Sequence, residues 1–254
     1  VHFIVVTLQQ IKLVFLFLLI TIMLSLGASN KTAASVFFGG TVREVPIYCV
    51  DTEEKQVAIS FDAAWGADKT EQIIALLKEY DADATFFLVG FWVEDYPEMT
   101  KKIFDAGFEI GTHSNTHKNM AKLNRTQIID ELSASNHVIK SITNHTPTLF
   151  RAPFGAYNNA LIEEARNLGL KTIQWDVDSL DWKGLSASQI ATRVLNRVNP
   201  GSIVLFHNNA DNIVDGLRLV LDRLTKKGYK ITSIGNLIMK DNYYVDSQGK
   251  QRKK

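Results

Sequence analysis

Short runs of strand-forming residues alternate with longer helical stretches through most of this chain, and that alternation limits its fold more than any other feature. Strands are predicted at Val57–Asp62, Ala84–Val89, Phe108–Thr112, Leu149–Arg151, Thr172–Val177, Ile203–His207 and Tyr229–Thr232. Between them, apolar periodicity predicts helices over Lys69–Tyr80, Pro97–Ala106, Arg125–Thr143, Ala160–Leu168, Ala187–Val198 and Asn212–Lys227. Strands and helices that alternate this way pair in parallel through right-handed crossovers. The expected architecture is α/β, a distorted (β/α) barrel of about seven units, one short of the eight-fold barrel. Gly107, Gly169 and Gly228 each close a helical stretch just before a strand, where a left-handed residue is expected. Asp68 lies three residues before Glu71, a capping-box spacing for the first of these helices.

The N-terminus carries a different signal. Leu13 to Gly27 reads LVFLFLLITIMLSLG, uncharged, with Lys12 before it and Ala28-Ser-Asn30 after it. A charged entry, an apolar middle and small residues at the exit describe an export segment, either a cleaved signal or an uncleaved anchor. The expected organisation is an export segment over 1–30, a linker over 31–52, the barrel domain over 53–240 and a polar basic tail over 241–254. Membrane contact is expected through the N-terminal segment only. The sequence holds one cysteine, Cys49, so no disulfide forms within it. An exported chain without disulfides suits a bacterium with a Gram-positive envelope. A net charge of +1 gives no electrostatic case for nucleic acid. Nothing in the sequence sets the oligomeric state.

In α/β barrels the working residues sit at the C-terminal ends of strands. Asp62, Thr112-His113, Arg151, Asp176 or Asp178, and His207 all end apolar strands here. Asp62 either does chemistry or caps a turn. His113-Ser-Asn-Thr-His117 spaces two imidazoles four apart, which on a helical turn lets both hold one divalent cation; paired surface histidines are the plainer reading. His207 is either a general acid or a core histidine satisfied by backbone. Arg151-Ala-Pro-Phe-Gly155 runs from a strand end into a rigid turn, where Arg151 can hold a carboxylate ionised and the Phe154 N–H can face the mouth. In Asp176-Val-Asp-Ser-Leu-Asp-Trp182, Trp182 is a candidate sugar platform, and one or two of the carboxylates only cap the following turn.

Taken in order, Ser60-Phe-Asp62, His113-x-x-x-His117, Arg151-Ala-Pro-Phe-Gly155, Asp178-x-x-Asp-Trp182 and Leu205-Phe-His207 resemble the five motifs of the polysaccharide deacetylases, the NodB-homology domains of carbohydrate esterase family 4. The resemblance covers roughly residues 55 to 240, and the whole sequence, with its export segment and its Ser60–Gly66 run, looks closest to PdaB-type members of spore-forming bacilli. It implies an exported hydrolase that removes N-acetyl groups from amino sugars of peptidoglycan or a related polysaccharide, in sporulation or cell-wall modification, at the wall or spore envelope. By resemblance, Asp62 is the base and His113 and His117 are metal ligands. Arg151 tunes the base, Phe154 gives an oxyanion N–H, His207 is the acid and Asp181 orients it. Trp182 and Leu205 line the substrate groove.

One position departs from that pattern. The family's first motif carries a second aspartate, a metal ligand, where Ala63 stands. A divalent metal, zinc or cobalt, is therefore expected to be weakly bound or absent. Asp68 is a candidate third ligand, and its capping role explains it better. The alternative reading is a wall-binding protein that kept the groove and lost efficient catalysis. A third, an amidohydrolase of small ureides or cyclic imides, is opposed by the export segment and Trp182.

Overall fold

The computed structural model describes residues 8–28 and 42–254 and divides into two units, residues 1–43 and 44–254. In the first, Leu8–Ala28 forms helix α1, whose apolar side chains from Leu8 to Met23 are exposed. Among the described residues no helix is long and apolar enough to cross a membrane. The rest of the expected export segment, and residues 31–41 of the expected linker, lie outside the described residues.

The second unit is a curled parallel sheet ringed by helices. Its elements are β1 (Cys49–Val50), β2 (Gln56–Ala63), α2 (Thr70–Glu79), β3 (Thr85–Leu88), α3 (Gly90–Asp95), α4 (Pro97–Asp105), β4 (Glu109–Thr112), α5 (Arg125–Thr143), β5 (Leu149–Phe150) and α6 (Asn159–Asn167). Then follow β6 (Lys171–Thr172), β7 (Val177–Asp178), α7 (Ala187–Leu195), β8 (Ile203–His207), α8 (Ile213–Lys226), β9 (Lys230–Thr232), α9 (Ile234–Leu237), β10 (Tyr243–Val245) and β11 (Lys250–Lys253). The strand order is β6-β5-β4-β3-β2-β8-β7, all parallel, with β9 on the first half of the β2 edge that β3 takes further on.

The alternation in β2 explains its central place. Val57, Ile59, Phe61 and Ala63 face the helices and are fully buried there. Ala58 joins the inner cluster with Phe87, Leu149, Ile173 and Ile203, which fills the barrel floor. A strand buried on both faces reads as a near-continuous apolar run, as Val57–Phe61 does, with the buried Ser60 hydroxyl donating to Val204 O. Phe61 stacks on Phe86 and Phe206 at centroid distances of 4.9 and 5.8 Å, tying β2 to both neighbours. Burying each such ring stabilises the fold by about 1.5–3 kcal/mol.

The barrel does not close by strand pairing. The expected strand Thr172–Val177 is instead two short strands on opposite edges of the sheet, β6 and β7. The residues between them spend their polar groups elsewhere: the Gln174 side chain donates to Gly155 O, and Asp176 accepts from Ser202 Oγ and Ile203 N. The gap is spanned by the N-terminal segment, with Ile47 bridging to Ile173 and Cys49 to Ser202. Residues 44–52, expected in a linker, thus belong to this unit.

The expected tail is also built in. β10 and β11 form an antiparallel hairpin around Asp246, and β11 pairs in parallel with β1. Gln251 turns inward, fully buried, and its amide bonds both Met239 N and Met239 O. Arg252 is neutralised in place by Asp51 and Asp246.

Some helix ends follow the expected local chemistry and others do not. Gly107, Gly169 and Gly228 take the left-handed φ expected of them, between +77° and +89°. The Asp68–Glu71 capping box is not formed: Lys69 is the N-cap of α2 without a side-chain bond, and Glu71 pairs with Lys102 instead. Reciprocal capping boxes occur at Asn124/Gln127 and Ser186/Gln189.

Candidate active site

Sheet register places the rim. Asp62 pairs with Phe87 on one side and His207 on the other, so Asp62 and His207 leave adjacent strands at the same height. Thr112 pairs with Phe150, which sets His113 and Arg151 side by side one residue later. Asp178 pairs with Leu205, which delivers Asp181 and Trp182 to the far side. Asp62, His113, His117, Phe154, Asp181, Trp182, Leu205 and His207 line one cavity of about 580 Å³. Arg151 lies beneath it, fully buried. Asp176 is not at the rim: its bonds to Ser202 and Ile203 hold it at the start of β8, and burial raises its pKa.

Asp62 is the charged centre. Arg151 Nη1 donates to its Oδ1 at 2.8 Å, and His113 Nε2 lies 3.5 Å from its Oδ2. Burial opposes ionisation of Asp62, but the neighbouring His113, Arg151 and His207 outweigh burial and hold the carboxyl below its ordinary range. Arg151 is the dependable contributor, because a guanidinium stays charged. It is fixed by the Gln174 carbonyl and lies 4.2 Å from the Phe87 ring centroid.

The two imidazoles of the second motif are neutral. His113 Nδ1 lies 2.8 Å from Arg151 O, and a carbonyl only accepts, so Nδ1 holds the proton and Nε2 keeps a lone pair. Burial lowers the His113 pKa, and burial with the neighbouring His113 lowers that of His117 to about 4. Their ring centroids are 5.1 Å apart. The loop between them is braced from beneath by the mostly buried Glu131 of α5, which accepts from Asn115 N, Thr116 N and Thr116 Oγ1. Ser114 Oγ accepts from His117 N. Gly90 N donates to Ser114 O, and the Asn115 side chain fills the space a Cβ at Gly90 would take.

His207 is the opposite case. Both Asp181 oxygens hold it, Oδ1 at 2.8 Å from Nδ1 and Oδ2 at 2.7 Å from the backbone N–H. Burial works against the charged ring, but Asp181, then Asp62 and Asp178, raise its pKa above the ordinary histidine value. The rim thus sets a carboxyl whose ionised form is favoured opposite an imidazole whose protonated form is favoured.

Phe154 sits at φ +62°, a left-handed conformation costing a side-chain-bearing residue about 1–3 kcal/mol. Its backbone N–H has no acceptor among the described residues.

The residues do not complete a catalytic metal site. Three protein ligands are usual for such a zinc, and here only two imidazoles are placed. Ala63 packs among the helix-facing core residues, and the next residue, Ala64, lines the cavity instead. Asp68 is exposed and does not line the cavity. Among the described residues no group of three His, Cys, Asp or Glu is placed to hold a metal ion.

Several contributors went unread in the sequence. Trp65 and Trp175 line the cavity, and Glu131 braces it. Asn208, next to His207, reaches back to Gly66 O. Adjacency to a strand end flags Trp65 and Asn208, whereas nothing in the sequence flags Glu131.

Fold and rim bring a carboxylate, an imidazole and a bare N–H to one mouth. The family model described as polysaccharide deacetylase matches residues 50–173. The chain is 32% identical over 193 residues to the uncharacterized protein YlxY of Bacillus subtilis, covering 76% of this chain and 60% of that protein. It is 30% identical over 204 residues to the peptidoglycan-N-acetylmuramic acid deacetylase PdaA of Bacillus subtilis, covering 79% of this chain and 78% of that protein. Among solved structures it is similar to BA3943 of Bacillus anthracis, described as a CE4 family pseudoenzyme, with TM-score 0.74 and 35% identity over 76% of this chain and 68% of that one. The chain belongs to the polysaccharide deacetylase family, a family of hydrolases.

Proposed function

We propose that this chain binds N-acetylated amino sugars of peptidoglycan and that its rim is arranged to hydrolyse their acetamide. The observation that carries the reading is the Asp62–His207 pair, in register on adjacent strands with pKa values pushed in opposite directions. Asp62 takes the proton of a water attacking the acetyl carbon. The Phe154 N–H receives the developing oxyanion, a contribution of about 3 kcal/mol for one such donor elsewhere. His207 Nε2 gives its proton to the leaving nitrogen as the carbon–nitrogen bond breaks, leaving acetate and a free amine. Asp181 fixes the ring and its charge. No step is assigned to zinc or cobalt, because the ligand set stops at His113 and His117.

Action outside the cytoplasmic membrane is part of the proposal, supported by the exposed apolar helix α1. A role in sporulation is the setting this reading assigns, resting on the resemblance of the whole sequence to PdaB-type members. Ala63 favours a second reading, a groove that binds the wall without efficient turnover. The two are separated by acetate release from peptidoglycan, measured together with glycan binding. Under the first reading, Asp62→Asn lowers release by about 10²–10⁴-fold with binding retained, the range for loss of a positioned base. Binding with no release by the parent protein establishes the second. Release unchanged in Asp62→Asn removes the mechanism.

A further inference from the structure

In residues 44–254 the three most exposed large apolar side chains are Phe154, Trp65 and Trp182, at 69%, 59% and 58%. All three line the same cavity. The other exposed large hydrophobics of this unit reach at most 47% and do not line it. Bare apolar surface gathered at one cleft marks a binding site, whereas scattered single residues mark nothing.

Trp65 is held in this exposed position. Its loop is pinned at the next residue, where Gly66 O accepts from both Trp92 Nε1 at 2.7 Å and Asn208 Nδ2 at 2.9 Å. Trp92 and Asn208 are fully buried. The Trp65 ring lies 4.8 Å from that of His117 at 68°, and Phe154 touches His117 at 4.8 Å and 71°. The two aromatics therefore meet the imidazole at an angle and do not stack on it. Trp182 follows Asp181 and so belongs to the acid side of the rim.

We infer that Trp65 is a second sugar platform, beyond the Trp182 position, and that the ligand is an oligosaccharide of two or more linked N-acetylated pyranoses. The C–H face of one ring packs on Trp65 while a neighbouring ring occupies the Trp182 side. A fixed indole provides large contact area with little conformational freedom to lose. This inference rests on the glycan reading above and adds a length requirement to it.

The test is equilibrium binding of N-acetylglucosamine and of its β-1,4-linked tetrasaccharide to the full chain. Trp65→Ala is expected to weaken tetrasaccharide binding about tenfold or more and to change the monosaccharide by less than about twofold, the loss of roughly one buried ring contact. Trp65→Tyr is expected to restore most of the affinity. Thermal melting should match the parent, because the side chain is exposed. Tetrasaccharide binding by Trp65→Ala equal to the parent's overturns the platform and leaves the proposed function standing. Failure of the parent to bind any N-acetylated glycan, peptidoglycan included, overturns both.

Discussion

Arg151→Met is expected to lower stability by about 3–5 kcal/mol at neutral pH, the cost of leaving one partner of a buried ion pair alone. The arginine is fully buried, and its partner Asp62 is 6% exposed. Methionine matches much of the volume over Phe87 but leaves the carboxylate uncompensated. The pH dependence should reverse as well. In the parent, the folded Asp62 pKa is depressed, so its contribution is present above the ordinary carboxylate pKa and is lost as pH falls through the folded value. In Arg151→Met, burial dominates and raises that pKa, so stability is best in acid and declines as pH rises. Denaturant unfolding at about pH 5 and about pH 8 reads this directly, the deficit being larger at the higher pH. A deficit below about 1 kcal/mol, equal at both values, would show that the pair does not hold the rim together.

Ala63→Asp is expected to raise acetate release by at least about a hundredfold in the presence of zinc or cobalt. The estimate follows from the several kcal/mol that a bound metal contributes at a carbonyl, each ~1.4 kcal/mol being tenfold. Two neutral imidazoles are already in place, and the substitution supplies the third donor type. The obstacle is direction: the Ala63 side chain faces the helix layer, and a carboxylate left there costs stability by a few kcal/mol. A melting temperature near the parent's therefore reports that the new carboxylate has turned to the rim. A folded variant that binds metal and releases no more acetate than the parent would contradict the view that the thinned ligand set limits the site.

The rim was legible because the same event recurs along the chain, an apolar run ending in a polar residue. Asp62, His113, Arg151 and His207 all carry that signature, and parallel pairing brings such ends to one mouth. Phe61 and Asp62 show why: adjacent in sequence, they point to opposite faces, one into core and one into the cavity. The break at Ile173–Asp176 was not legible, because an apolar run broken by Gln174 and Asp176 reads as one strand until its polar groups find partners off the sheet. The basic C-terminus reads as solvated, and only pairing with Cys49–Val50 makes it a strand. Asp68 and Glu71 have the spacing of a cap, yet Lys102 competes for the glutamate. Glu131 acts on residues fifteen and sixteen positions away, a contact that helix packing creates.

The proposed function rests most on opposite pKa shifts at one rim, and histidine titration by NMR measures the imidazole side of them without substrate or metal. His207 is expected to titrate above 6.5, and its midpoint should fall in Asp181→Asn, while His113 and His117 stay neutral across the physiological range, His117 with a midpoint of about 4. A His207 midpoint below 6.5, or His117 charging near neutrality, would contradict the assignment of acid and base on which the proposed function stands.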